Sequence, residues 1–214
     1  MAEERLEVWQ ILLQRAFTLI DEARGARLPV DDWTFGGGTV LMRRHNHRAS
    51  KDVDIFINDP QFIGYLSPRL NALAESLTRD YVEDHNFVKL VFPEGEIDFV
   101  AAPPLTPSPA AREVILGRAL LVETSTEIIA KKIWHRGTEF TARDIFDFAA
   151  VAELEPAALQ GIGPILRDRR ATILDRVAKQ GEFLRKDFEL LEARDYQRSY
   201  DESVRMLQET LAAA

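Results

Sequence analysis

Three glycines and a threonine, Gly36-Gly37-Gly38-Thr39, follow the apolar stretch Trp33-Thr34-Phe35, and after twelve more residues come two aspartates around one valine, Asp52-Val53-Asp54. Glycines at a strand-to-helix turn let backbone amides close on an oxyanion, and the helix N-terminus adds a positive dipole. Such a turn can hold phosphate. Asp52 and Asp54 lie two apart on an alternating strand, so both leave one face and can share hard cations through oxygen. Two carboxylates forced together cost energy unless a metal or a proton relieves them. Asp98, between Ile97 and Phe99 in a later apolar strand, joins them if its strand is a neighbour in the sheet. Three carboxylates facing a phosphate-binding turn make a two-metal phosphoryl-transfer site. Two other phosphate loops are excluded: GGGTVLMRR lacks the Gly-Lys-Ser/Thr ending of a Walker A loop, and the fingerprint G-x-G-x-x-G is not satisfied.

Gly37 and Gly38, then thirteen residues, then Asp52-Val53-Asp54-Ile55 satisfy the pattern apolar-Gly-[Gly/Ser] followed by Asp-apolar-[Asp/Glu]-apolar. That pattern resembles the signature of the DNA polymerase β-like nucleotidyltransferase superfamily. More narrowly, GGTVL, the run Arg48-x-Ser50-x-Asp52-x-Asp54, a later Glu127-Ile128-x-Ala130-x-Lys132 and then Arg143-Asp144-x-Phe146-Asp147 are similar to the AbiEii/AbiGii toxin family. The resemblance covers residues 33 to about 150, and the first helix and the last sixty residues are compatible with it.

The resemblance implies an α/β (α+β) fold: a small mixed sheet of the polymerase β-like core flanked by helices, with a helical C-terminal lobe. It implies that Gly37, Gly38 and Thr39 hold the triphosphate with Arg48 and Ser50 beside it, and that Asp52 and Asp54 bind Mg²⁺, two ions in all, with Asp98 completing the site. Lys132, Asp144 and Asp147 would contact nucleotide or support transfer. The implied reaction moves a nucleoside monophosphate from an NTP to an acceptor hydroxyl and releases pyrophosphate. The implied setting is the toxin half of a bacterial toxin–antitoxin pair, with an antitoxin protein as partner and tRNA or another cellular molecule as acceptor. Two further readings stay open: a small-molecule nucleotidyltransferase of the antibiotic-modifying kind, and a nucleotide-binding regulator that does not turn over.

The positioning elements follow from periodicity. Leu6, Trp9, Leu13, Phe17 and Ile20 recur at helical spacing over residues 3 to 24, ended by Gly25. WTFG reads as a strand entering the glycine turn, TVLMRRH as the helix leaving it, and DVDIFIND as a two-faced strand. Pro60 opens a helical stretch to about Thr78, and FVKLVF, a Pro-Glu-Gly turn and EIDFVAA make a hairpin. The proline-rich PPLTPSPA (103 to 110) is a linker or covering loop, and a short strand is expected near Ala119–Val122. Thr124 with Glu127 caps one helix, Thr141 caps another that ends before Pro156, and the chain from Pro164 on is helical with breaks near Gly181 and at Tyr196–Ser199. The expected division is residues 1–115, the N-terminal helix and transferase core, and residues 116–214, a mainly helical lobe. The cluster RRHNHR (43 to 48) reads equally as a cationic rim near a polyphosphate and as a solvated loop.

Composition limits the alternatives. The 214 residues carry 27 basic and 35 acidic side chains, a net charge of −8, so the surface as a whole repels nucleic acid and anionic membrane and any RNA contact must be local. There is no cysteine, which removes disulfides, thiolate catalysis and Cys-ligated zinc. The acidic opening MAEER is unlike a signal peptide and no window is apolar enough to span a membrane, so the expected location is the cytoplasm.

Overall fold

The computed structural model describes residues 6–28, 30 and 32–214, in two compact units. The first holds the chain up to Val40, Ser50–Pro104 and Ala110–Val122; the second holds Leu41–Ala49, Leu105–Pro109 and Glu123–Ala214.

A seven-stranded mixed sheet organises the first unit. In chain order its elements are α1 (Val8–Gly25), β1 (Trp33–Gly36), the opening of α2 (Gly37–His45), β2 (Val53–Ile57), a 3-10 turn (Pro60–Leu66), α3 (Ala72–Leu77), β3 (Tyr81–Asp84), β4 (Phe87–Phe92), β5 (Gly95–Ala101), β6 (Ala110–Ile115) and β7 (Arg118–Glu123). The spatial order is β3-β4-β5-β2-β1-β7-β6. β2 runs parallel to β5 and antiparallel to β1, while β4 and β5 form the antiparallel hairpin expected from the Pro-Glu-Gly turn. Alternation puts Val53, Ile55, Ile57, Ile97 and Phe99 on a buried face, and α1 packs there, with Trp9 stacked 6.3 Å from Phe35. Burying such large apolar side chains stabilises by about 1.5–3 kcal/mol each. The opposite face is left to Asp54, Asp98 and Lys89. The expected start of α1 at Glu3 to Arg5 lies outside the described residues.

The second unit is helical: α4 (Ser125–Arg136), α5 (Ala142–Leu154), α6 (Ala157–Gln160), α7 (Gly163–Glu189) and α8 (Tyr200–Ala213). Thr124, Thr141 and Ser199 cap α4, α5 and α8 through their hydroxyls. Phe146 of α5 anchors the core, meeting Phe188 at 5.3 Å and Tyr196 at 5.4 Å edge-on.

Two expectations of secondary structure are corrected. The helix from Pro60 to Thr78 is two pieces, because Pro68 forces Ser67 into extended backbone (ψ 142°) and Asn71 must cap a new start. β3 and β6, both edge strands, were not foreseen; their half-exposed residues blur the apolar alternation. The expected break near Gly181 is present: the backbone leaves helical geometry at Gln180 (φ −116°, ψ 15°), where α7 kinks. Among the described residues no helix is long and apolar enough to cross a membrane.

Candidate active site

In the first unit the glycine turn and two of the three expected carboxylates share one row across the sheet. The β2–β5 register pairs Asp54 with Asp98, the β1–β2 register pairs Gly36 with Asp54, and the β4–β5 register pairs Lys89 with Asp98. The row therefore reads Gly36, Asp54, Asp98, Lys89, all on the face away from α1. Gly37 begins α2 with φ +72°, and a Cβ built there would lie 1.9 Å from Asp54 Oδ2. Glycine is obligatory here twice over, for its backbone conformation and for the space the Asp54 carboxylate takes.

Strands about 4.8 Å apart bring in-register carboxylates to roughly 5 Å, where two charges at an effective dielectric of about 20 repel by roughly 3 kcal/mol. Burial first, and then the charge of Asp54, push the Asp98 carboxyl up to about 7, only partly offset by Lys89. Asp98 Oδ1 is buried with no hydrogen-bond partner, while its Oδ2 lies 3.5 Å from Lys89 Nζ. An orphaned carboxyl oxygen beside a second carboxylate fits a hard divalent cation, whose charge would favour the ionised form. Asp52 stands just before β2 and its Oδ1 accepts a 3.1 Å bond from the Glu96 amide. Among the described residues no group of three or more acidic or imidazole side chains is gathered as a ready metal cage. The donor set is thus the Asp54–Asp98 pair, with Asp52 at its margin.

Thr39 is buried, and its hydroxyl donates to the Asp52 carbonyl at 2.5 Å while lying 2.9 Å from Ser50 Oγ. That ties the first turn of α2 to the chain entering β2. Thr39 and Ser50 hold the two halves of the motif together from within.

The second unit gathers the other predicted residues in a buried ionic cluster. Asp147 accepts Arg48 Nε at 2.6 Å and Nη2 at 2.8 Å, lies 2.7 Å from His47 Nε2 and 3.1 Å from Lys132 Nζ. Asp144 accepts Lys132 Nζ at 2.6 Å and closes the capping box with Thr141. Burial alone would raise both carboxyls; Arg48 and Lys132 overcome it at Asp147, Lys132 and Arg136 at Asp144, and Asp147 is held well below its ordinary value. Residues 46–49 are further zipped to 192–195 by backbone bonds. RRHNHR is therefore no open rim or solvated loop throughout: His47 and Arg48 are interior, because the Asp147 carboxylate meets Arg48 bidentately and lies beside the His47 ring nitrogen. Lys132 and Lys131 are both nearly enclosed, the latter on Glu123 at 2.6 Å.

A sequence profile described as "Nucleotidyl transferase AbiEii toxin, Type IV TA system" matches residues 24–213. The chain belongs to this family. No curated protein matches it by sequence. Among solved structures it is similar to MenT4, a nucleotidyltransferase toxin of Mycobacterium tuberculosis H37Rv, with a TM-score of 0.53 at 17% identity over 96% of this chain and 85% of that one. It is likewise similar to JHP933 from Helicobacter pylori, with a TM-score of 0.51 at 16% identity over 98% and 93%. At such identity these likenesses show the fold. For an AbiEii-family chain, then, the glycine turn, Asp52, Asp54 and Asp98 stand in the first unit, and Arg48, Lys132, Asp144 and Asp147 in the second. Two polar residues of the acidic face escaped the sequence reading, Lys89 and Glu96, which are joined at 2.5 Å. The hairpin turn carried the signal: pairing Phe92 with Gly95 sets Lys89 opposite Asp98.

Proposed function

We propose that the chain transfers a nucleoside monophosphate from an NTP to an acceptor hydroxyl, with release of pyrophosphate, in a Mg²⁺-dependent reaction. The observation that carries this is the in-register Asp54–Asp98 pair set against Gly37, with Asp98 Oδ1 buried and unpartnered. Asp54 and Asp98 would hold the metal, Asp52 would join from the margin, and two ions suit a triphosphate substrate. Bound there, Mg²⁺ neutralises phosphate charge and lowers the pKa of the attacking hydroxyl. The chain's own part is to seat phosphate oxygens on the Gly37 and Gly38 amides at the N-terminus of α2, and to keep that turn fixed to Asp52 through Thr39. Family membership, not geometry, supports assigning Arg48, Ser50, Lys132, Asp144 and Asp147 to nucleotide binding or transfer.

The same membership supports a toxin working beside an antitoxin partner in the cytoplasm, with an RNA such as tRNA as acceptor. Incubation with labelled NTPs, Mg²⁺ and total cellular RNA should label a discrete RNA and release pyrophosphate, and Asp54→Asn should abolish both. Label on a small molecule alone would replace the RNA acceptor with the antibiotic-type reaction. Tight NTP binding with no transfer to any acceptor would make the chain a regulator and refute the proposal.

A further inference from the structure

Glu96 and the cation beside it, Lys89, stand on the same face as Asp98, and neither has a part in the reaction just described. Lys89 projects from β4 between Val88 and Leu90, both buried on the core face, so alternation sends its side chain to the acidic face. Its ammonium donates to Glu96 at 2.5 Å and stands 3.5 Å from Asp98 Oδ2. Glu96 sits two residues before Asp98 on β5, on the same face, and its amide holds Asp52 at 3.1 Å. One residue thus braces Asp52 through its backbone and Lys89 through its side chain.

We infer that Lys89 is a built-in counter-cation of Asp98, docked on Glu96, that competes with the divalent metal for the Asp98 carboxylate and so sets metal affinity. The inference rests on the metal-site reading above. An ammonium and a divalent ion cannot both lie against one carboxylate without repulsion, so metal entry requires the ammonium to give up Asp98. The tighter contact to Glu96 keeps it nearby when it does. Lys89 is therefore a positioning residue: it acts on the metal site through the Asp98 carboxylate, which it holds in the absence of metal.

The test is Mn²⁺ affinity, read from the electron paramagnetic resonance signal of free ion at pH 8, with melting curves to verify folding. Lys89→Met should bind Mn²⁺ about tenfold more tightly, and Lys89→Arg should keep the wild-type affinity. Lys89→Met/Glu96→Gln has the wild-type net charge and should still bind about tenfold more tightly, because the competitor for Asp98 is gone. Asp98→Asn should lose the high-affinity ion. Unchanged or weaker binding in Lys89→Met would overturn the inference, as would a double variant that returns to wild type, since the effect would then be one of total charge. If the wild type bound no Mn²⁺, or Asp98→Asn bound it normally, the metal-site reading would fail and take this inference with it.

Discussion

Gly37→Ala separates what the glycine does for the backbone from what it does for Asp54. Gly37 and Gly117 have nearly the same positive φ, +72° and +75°, but a Cβ at Gly117 meets nothing within 4 Å and one at Gly37 meets Asp54 Oδ2 at 1.9 Å. Gly117→Ala therefore exposes the conformational cost alone, about 1–2 kcal/mol for a residue with a side chain in the left-handed region. Gly37→Ala carries that cost plus a displaced Asp54 side chain, about 0.5–1.5 kcal/mol more if the carboxylate leaves its rotamer. For a chain of this size each kcal/mol lowers Tm by about 2–4 °C, so Gly117→Ala should melt about 2–8 °C and Gly37→Ala about 3–14 °C below wild type. Urea titration resolves the excess of about 1 kcal/mol between them. The decisive readout is pyrophosphate release: an ångström of misplacement in the carboxylate should cost about 100-fold in Gly37→Ala and nothing in Gly117→Ala. Equal stability losses together with full transfer by Gly37→Ala would refute the argument that Asp54 is moulded against this glycine.

Two further outcomes follow from the charged groups. The Asp98 carboxyl, raised to about 7 against an ordinary 3.8 by burial and by Asp54, keeps a proton in the folded chain that the unfolded chain has released. Its contribution to stability is full below pH 4 and lost as pH rises to 7, so Asp98→Asn should melt level with wild type near pH 4 and increasingly above it up to pH 7, in metal-free buffer. Asp147 has the opposite sign: held well below its ordinary value by Arg48 and Lys132 against the effect of burial, it stabilises above pH 4 and its contribution is lost as pH falls further. Asp147→Asn leaves buried cations short of a counter-charge and should cost about 3–5 kcal/mol at pH 7 by urea denaturation.

The parts of the site set by local spacing were legible in the sequence. The turn from β1 into α2, the faces of β2 and the β4–β5 hairpin all follow from residue periodicity, and the structure places them where periodicity does. Whether β5 lies beside β2 was not legible, since adjacency of parallel strands depends on the whole topology, and Asp98 could be joined to Asp54 only conditionally. Lys89 was legible in principle through the hairpin register, but a lone lysine in an apolar strand carries no sign of the carboxylate that the register sets opposite it. Arg48 and Asp147 lie 99 residues apart, and no local pattern announces that a charged pair so distant will be interior. Composition pointed the other way, because arginines next to a polyphosphate motif suggest an exposed surface.

The parallel pairing of β2 with β5 also sets when the carboxylate pair comes into being. A parallel pair cannot close through a tight turn; here the 3-10 turn, α3, β3 and β4 all lie between the two strands in the chain. The loop-closure entropy of that whole crossover must be overcome before Asp98 reaches Asp54. A chain emerging from the ribosome presents the glycine turn and Asp54 first, as a half-site with one wall missing, and Asp98 arrives only with the fifth strand. In a family named for toxins, the acidic pair is thus a product of folding itself, assembled late and all at once, and a nascent or locally unfolded chain carries the motif without the chemistry.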